Sequence, residues 1–222
     1  QQEQKQRAIQ FQADSSRLYE KLRSNVNRYQ QNLITLSNFF KHSKYITRSE
    51  FKGFTKQILL QQNEIQALAW IRYFSASEKQ RFEHSIDKEG LVDFLIYDKQ
   101  GPLTVTALDD QYAVITYIEP YESNKKALGL NVLSDKNVFD TLVKAVKTAS
   151  ITATPGIKLV QDGQNKWGIV IYYPIYSHKL SAETQNVTPY GFVASIFYIE
   201  SFIHATLSHD EYSIIDFELY DV

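Results

Sequence analysis

The stretch YIEPYESNKKALGLNVLSD, residues 117–135, decides the fold. It leaves a strand-like run of Val114, Ile115, Thr116, Tyr117 and Ile118 at Pro120, a residue that cannot donate to a strand's hydrogen-bond ladder. A polar loop with Asn124, Lys125 and Lys126 follows. Asn131 then stands alone among Ala127, Leu128, Leu130 and Val132, just before helix signals return at Ser134 with Val138, Leu142, Val143 and Val146 on one face. One amide between apolar residues at the foot of a helix is either a helix cap or a polar group placed on a pocket wall.

Toward the C-terminus, IKLVQ (157–161), DGQNK and WGIVIYYPIY (167–176) read as a hairpin with an Asp-Gly turn. Pro174 points to an edge or a strand end. YGFVASIFYI (190–199) reads as a strand ending near Glu200, which opens a short helix, and YSIIDFELYDV (212–222) alternates as a closing strand. Toward the N-terminus, LVDFLIYD (91–98) is β-like and runs into a Gly-Pro turn. Ser75 to Glu89 reads as a helix with a serine cap, and a further segment, IQALAWIRYF (65–74), precedes it, with the β-like period expected only after Gly90. Thr47, Arg48, Ser49 and Glu50 signal a helix from about 48 to 61. Residues 1 to about 44 read as one long helix, with Phe11, Leu18, Leu22, Val26, Tyr29, Leu33, Leu36 and Phe40 mostly three or four apart and no Gly or Pro between them. That spacing suits a core-facing helix or a dimer seam. Strands separated by helices, with hairpin neighbours, give an α+β domain on a mostly antiparallel sheet.

Composition narrows the function. A chain of 222 residues can bury a real core as one large domain or two small ones. Its 24 basic and 25 acidic residues nearly cancel, and no basic cluster is denser than Lys125-Lys126, so no nucleic-acid partner is expected. The absence of cysteine excludes a disulfide framework, a thiolate metal site and a cysteine nucleophile. Methionine is absent even from position 1, which implies an excised segment. No apolar run approaches the roughly 18 residues of a membrane span. His42, His84, His178, His204 and His209 form no HxH or HExxH pair, and no metal is expected. No GxSxG, GxGxxG or phosphate loop occurs, and Asp109, Asp110 and Asp135 sit where turn carboxylates satisfy backbone amides. No enzyme activity and no cofactor are expected. Asn186-Val187-Thr188 matches a glycosylation sequon, a frequent chance match.

Several stretches in order resemble the CHASE domain, an extracytoplasmic sensor module of histidine kinases and of diguanylate or adenylate cyclases that includes plant cytokinin receptors. After the long helix come Arg48-Ser49-Glu50-Phe51, similar to the family's Arg-x-Glu-Phe, then IQALAWI (65–71), EKQRFE (78–83) and the strand after Gly90. YIEPYESNKKALGLNV resembles the family's Tyr-x-Glu-Pro, Asn and Ala-Leu-Gly-x-Asp. TATPGIKLVQ (152–161) and the Pro-x-Tyr strand GIVIYYPIY (168–176) complete the pattern, which covers roughly residues 48–200.

The resemblance implies a long N-terminal dimerisation or signalling helix (1–47), a PAS-like ligand-binding domain (48–200) and the start of a second, membrane-proximal PAS-like unit (201–222), which a truncated segment would leave incomplete. It implies a small-molecule-sensing domain on the periplasmic or extracellular side of a bacterial inner-membrane receptor. That receptor is expected to be a homodimer with flanking membrane segments and a histidine kinase or diguanylate cyclase output. The ligand expected is adenine-type, cytokinin-like or another small metabolite. Asn131 takes the place of the acidic residue that pairs with the purine-like head group in cytokinin receptors, and a neutral amide favours neutral ligands. Thr152, Ala153 and Thr154 match a pocket-lining segment. Tyr172 stands where cytokinin receptors carry a small Thr, next to Ile171. Val193, Ala194 and Ser195 match the facing strand, and Leu133 closes the set. Against these roles stand a plain cap at Asn131 and a plain core aromatic at Tyr172. The alternative for the whole chain is a structural dimerisation module without a ligand.

Overall fold

The computed structural model describes residues 2–43, 45–89, 91, 94–99, 110–160, 166–176 and 188–207. Helix α1 (Gln2–Lys41) runs without a break, and Tyr29, Leu33, Leu36 and Phe40 are buried along its last third. Helix α2 (Arg48–Gln61) begins where the capping signal places it. The Thr47 side chain accepts from the Glu50 amide, and the Glu50 carboxylate accepts from the Thr47 amide. A single turn, Ala76–Glu78, leads into α3 (Lys79–Lys88), with Ser75 and Glu78 forming a second reciprocal cap.

Segment 65–74 differs from the helical company it was read in. It is strand β1 (Ile65–Ser75), the centre of the sheet. Both of its faces are covered, so its sequence is nearly continuous in apolar residues and lacks the alternation of a half-exposed strand. β2 (Tyr97–Asp98) is only two residues long, and β3 (Gln111–Glu119) is the expected second strand. A one-turn helix α4 (Tyr121–Asn124) fills the polar loop and leads to β4 (Leu130–Asn131). After it come α5 (Lys136–Thr148), β5 (Thr152–Ala153), β6 (Ile157–Lys158), β7 (Trp167–Ile175), β8 (Gly191–Tyr198) and α6 (Ile199–Leu207). The strand expected over 212–222 lies outside the described residues, as does the Asp162-Gly163 turn. The boundary expected at residue 200 falls inside α6.

Among the described residues the sheet has eight strands in the order β2-β4-β3-β1-β8-β7-β5, with β6 also on β7, and its pairings are antiparallel except β2 with β4. The α+β class and the PAS-like character both hold. Pro174 sits inside β7 opposite Phe192, but β5 covers β7 only at Ile171 and Tyr172, so the ladder loses no bond on that side.

Strand alternation sorts side chains into two cores. Leu68, Trp70, Tyr117, Ile171, Val193 and Phe197 pack with α1 and α2 on one face. Ala69, Ile71, Ile115, Val170, Tyr172, Ala194 and Ile196 pack beneath α5 on the other. On the α1 side Phe40 stacks on Trp70 with ring centroids 4.0 Å apart. Glu89 accepts from both the Tyr45 and Tyr117 hydroxyls, and burial pushes the Tyr117 phenol well above its ordinary range, with the Glu89 charge adding to the shift.

Candidate functional site

The α5 side of the sheet encloses a cavity of about 50 Å³. Its floor is the sheet itself, with Ala69 and Ile71 on β1, Ile115 on β3, Val170 and Tyr172 on β7, and Ala194 and Ile196 on β8. Small residues at 69 and 194 on the two central strands leave the space open. The roof comes from the opening stretch, through Ala127, Leu130, Val132, Ser134, Asp135 and Val138, and one end is closed by Ile157, Leu159 and Val160.

Polar groups gather at one end. Lys99 Nζ donates to Asp135 Oδ2 at 2.6 Å and to the Lys158 carbonyl at 3.1 Å. Both charged side chains are largely covered, which strengthens the pair relative to a surface bridge. The other carboxylate oxygen, Asp135 Oδ1, accepts from the Asn137 and Val138 amides at the start of α5. Asp135 thus caps the helix, as the turn-carboxylate expectation held, and also anchors Lys99. Ser134 Oγ accepts from the Lys99 amide and donates to the Asn131 carbonyl. Tyr172 is fully buried, and its hydroxyl has no hydrogen-bond partner among the described residues. Burial, reinforced by the Asp135 charge, pushes that phenol far above its ordinary range. The phenol therefore stays a neutral donor at any physiological pH.

Of the expected ligand residues, Tyr172 lines this cavity, as does Ala194 of the facing strand. Asn131 is buried beside it but turned into the sheet. Its Oδ1 accepts from the Ala113 amide at 3.2 Å and its Nδ2 donates to Asp98 Oδ1 at 2.9 Å, so it ties β4 to β3 and β2. Its neighbours Leu130 and Val132 face the cavity instead. Asn131 is not the cap of α5, because Asp135 fills that position. Thr152 and Ala153 form the edge strand opposite Tyr172 and Ile171, and Thr154 exchanges hydrogen bonds with the Val170 backbone. Leu133 lines a neighbouring groove with Tyr73, Phe139, Val146 and Phe192. Ile171 and Val193 lie on the opposite face of the sheet, packed against α1 and α2. Ser195 pairs with Leu68 and Ile171, and its hydroxyl is buried without a partner among the described residues.

Lys99, Ser134 and Asp135 also line this cavity and were not among the site residues expected from the sequence. The Lys99–Asp135 pair joins positions far apart in the chain, and nothing in the local sequence around Lys99 marks it. Among the described residues no group of three His, Asp or Glu is placed to hold a metal ion, and no helix is long and apolar enough to cross a membrane.

A family model described as the CHASE domain matches residues 44–222. Comparison with curated proteins gives no match.

Proposed function

Because the chain belongs to the CHASE domain family, the extracytoplasmic sensory domains of receptors, we propose that it senses a small molecule held in the cavity between the sheet and α5. The observation that carries this reading is a preformed apolar cavity with the buried Tyr172 side chain on its floor and a Lys99–Asp135 pair at one end. Concave, largely apolar space with a few convergent polar groups is the usual form of a ligand site. The parent protein in this reading is a bacterial transmembrane receptor, with this segment on the periplasmic side and a histidine kinase or diguanylate cyclase as output. Ligand binding biases the sheet–α5 packing between two states, and α1, packed on the other face of the same sheet, carries the change onward.

A thermal-shift screen of the purified domain against purines, cytokinins, amino acids and small acids, amides and ketones tests the reading. Ligand at a hundred times its dissociation constant adds roughly 2.7 kcal/mol to stability. The expected result is a shift with at least one compound that disappears in Ala194→Leu, which fills the cavity. Stabilisation by no compound would favour a ligand-free dimerisation module.

Dimerisation, on this reading, uses the first half of α1. Tyr29, Leu33, Leu36 and Phe40 are buried against the chain's own sheet and are not available to a partner, whereas Ile9, Phe11 and Tyr19 are about 60% exposed. The chain has no native cysteine, so introduced ones report without background. Phe11→Cys is expected to crosslink to a second copy in the intact receptor and Leu33→Cys is not. Capture of Leu33→Cys alone would place the seam on the second half of α1.

A further inference from the structure

The cavity's size, lining and free hydrogen-bonding groups restrict what it holds. By the measure in which a bound water needs about 10–15 Å³, about 50 Å³ admits a body of roughly three to five water-sized groups. A purine does not fit without displacing the walls. Apart from Tyr172, the lining along the sheet is aliphatic, from Ala69, Ile71, Ile115, Val170, Ala194 and Ile196.

The side-chain oxygens of Asp135 and Ser134 at the polar end each already accept at least one hydrogen bond. Asp135 Oδ1 takes two helix amides, Asp135 Oδ2 takes Lys99, and Ser134 Oγ takes the Lys99 amide while donating its own proton to the Asn131 carbonyl. Donors are left over. The Tyr172 hydroxyl has no partner among the described residues, and the Lys99 ammonium has three protons of which Asp135 and the Lys158 carbonyl take two. A ligand that brings an acceptor meets these donors. Its charge is limited too, because Lys99 is neutralised by Asp135 at 2.6 Å. An anion would have to take Lys99 from Asp135 and then lie beside the stranded carboxylate, and a cation would face the Lys99 ammonium. Either charge would also lose its hydration in an aliphatic cavity.

On the sensing reading above, we propose that this site takes a small uncharged molecule, a short aliphatic body ending in a carbonyl or amide oxygen, with Tyr172 and Lys99 as the donors that hold that oxygen. Asp135 sets the charge preference by occupying Lys99.

The test uses methyl-labelled protein, following the Ile71, Ile115 and Ile196 resonances while adding 2-butanone, propionamide, propionate, propylamine or adenine. Saturable shifts with 2-butanone and propionamide, and none with propionate or propylamine, are expected. Tyr172→Phe should weaken propionamide binding about three- to tenfold, the worth of one hydrogen bond. Asp135→Asn keeps a good capping residue at the start of α5 and frees Lys99, so propionate should begin to bind. Propionate or propylamine binding the native protein as well as propionamide does would overturn the charge argument. Propionamide binding unchanged in Tyr172→Phe would overturn the role of the hydroxyl. Shifts with adenine alone would overturn the ligand class and leave the sensing reading standing, whereas methyls that respond to none of these probes nor to any compound of the thermal screen would overturn both.

Discussion

Tyr29→Ala is expected to lower the domain's stability by about 3–5 kcal/mol, the cost of removing a fully buried aromatic. Tyr29 has no exposed surface, and its ring packs against Phe197 at 4.7 Å and Phe202 at 5.9 Å between ring centroids. It is the point where α1, β8 and α6 meet. The side chain also has a polar task. Its hydroxyl donates to Glu64 Oε1 at 2.8 Å, and the same oxygen accepts from Arg28 at 3.0 Å. Glu64 is almost covered by protein, so truncating Tyr29 both opens a cavity and removes one of the two donors to a buried carboxylate. Tyr29→Phe separates the effects. It keeps the ring and should cost only about 1–3 kcal/mol through the hydrogen bond to a charged group. Urea unfolding of the three proteins, followed by far-ultraviolet circular dichroism, gives both differences. An alanine variant within 1 kcal/mol of the native protein, against the typical cost above, would mean that α1 frays from the sheet and is not part of the cooperative core.

The sequence marked elements where local chemistry decides them and failed where distant packing does. Helix α2 was legible because Thr47 and Glu50 cap it by contacts within one turn. The strand over 112–119 and the helix after Ser134 were legible because their periods are unambiguous. β1 was not, since a strand covered on both faces presents the same apolar run as a buried helix. The spacing of α1 showed that one face is apolar but not what lies against it, and for Tyr29 to Phe40 the answer is the chain's own sheet. The expected site residues divide between the two faces of the sheet for a related reason. Adjacent residues in a strand point to opposite faces, so Tyr172 and Ala194 line the cavity while Ile171 and Val193, one position away, do not. Matching a segment to a pocket wall names a strand. Choosing the face requires knowing which layer covers it.

Gly129→Ala is expected to cost about 2–5 kcal/mol and to weaken any ligand in the cavity, because Gly129 fixes the geometry of the roof. Its φ is +83°, a conformation in which a β-carbon costs roughly 1–2 kcal/mol. The space is closed as well, since a β-carbon there would lie 2.1 Å from the Leu95 carbonyl oxygen, which is backbone and cannot swing aside. Relief of such an overlap by shifting backbone typically costs a further 1–3 kcal/mol, roughly. The shift has a direction. The Gly129 amide donates to the Ile115 carbonyl and its own carbonyl accepts from the Tyr97 amide, so Gly129 holds 94–98 against β3. Forcing these segments apart opens the pairing of Tyr97 with Leu130 and Asp98 with Asn131, and with it the Asn131–Asp98 bond. Leu130, Val132 and Lys99, which line the cavity, then move together. Gly53→Ala supplies the contrast. Gly53 lies inside α2 with open space where a β-carbon would go, and the substitution should stabilise by about 0.5–1 kcal/mol through helix propensity alone. The same replacement should thus change sign between the two sites, and urea midpoints measured side by side would show it. Equal midpoints for Gly129→Ala and the native protein would mean that 94–98 yields to the new methyl freely, in which case the roof of the cavity is held by α5 and its Asp135 cap and not by the β2–β4 pairing.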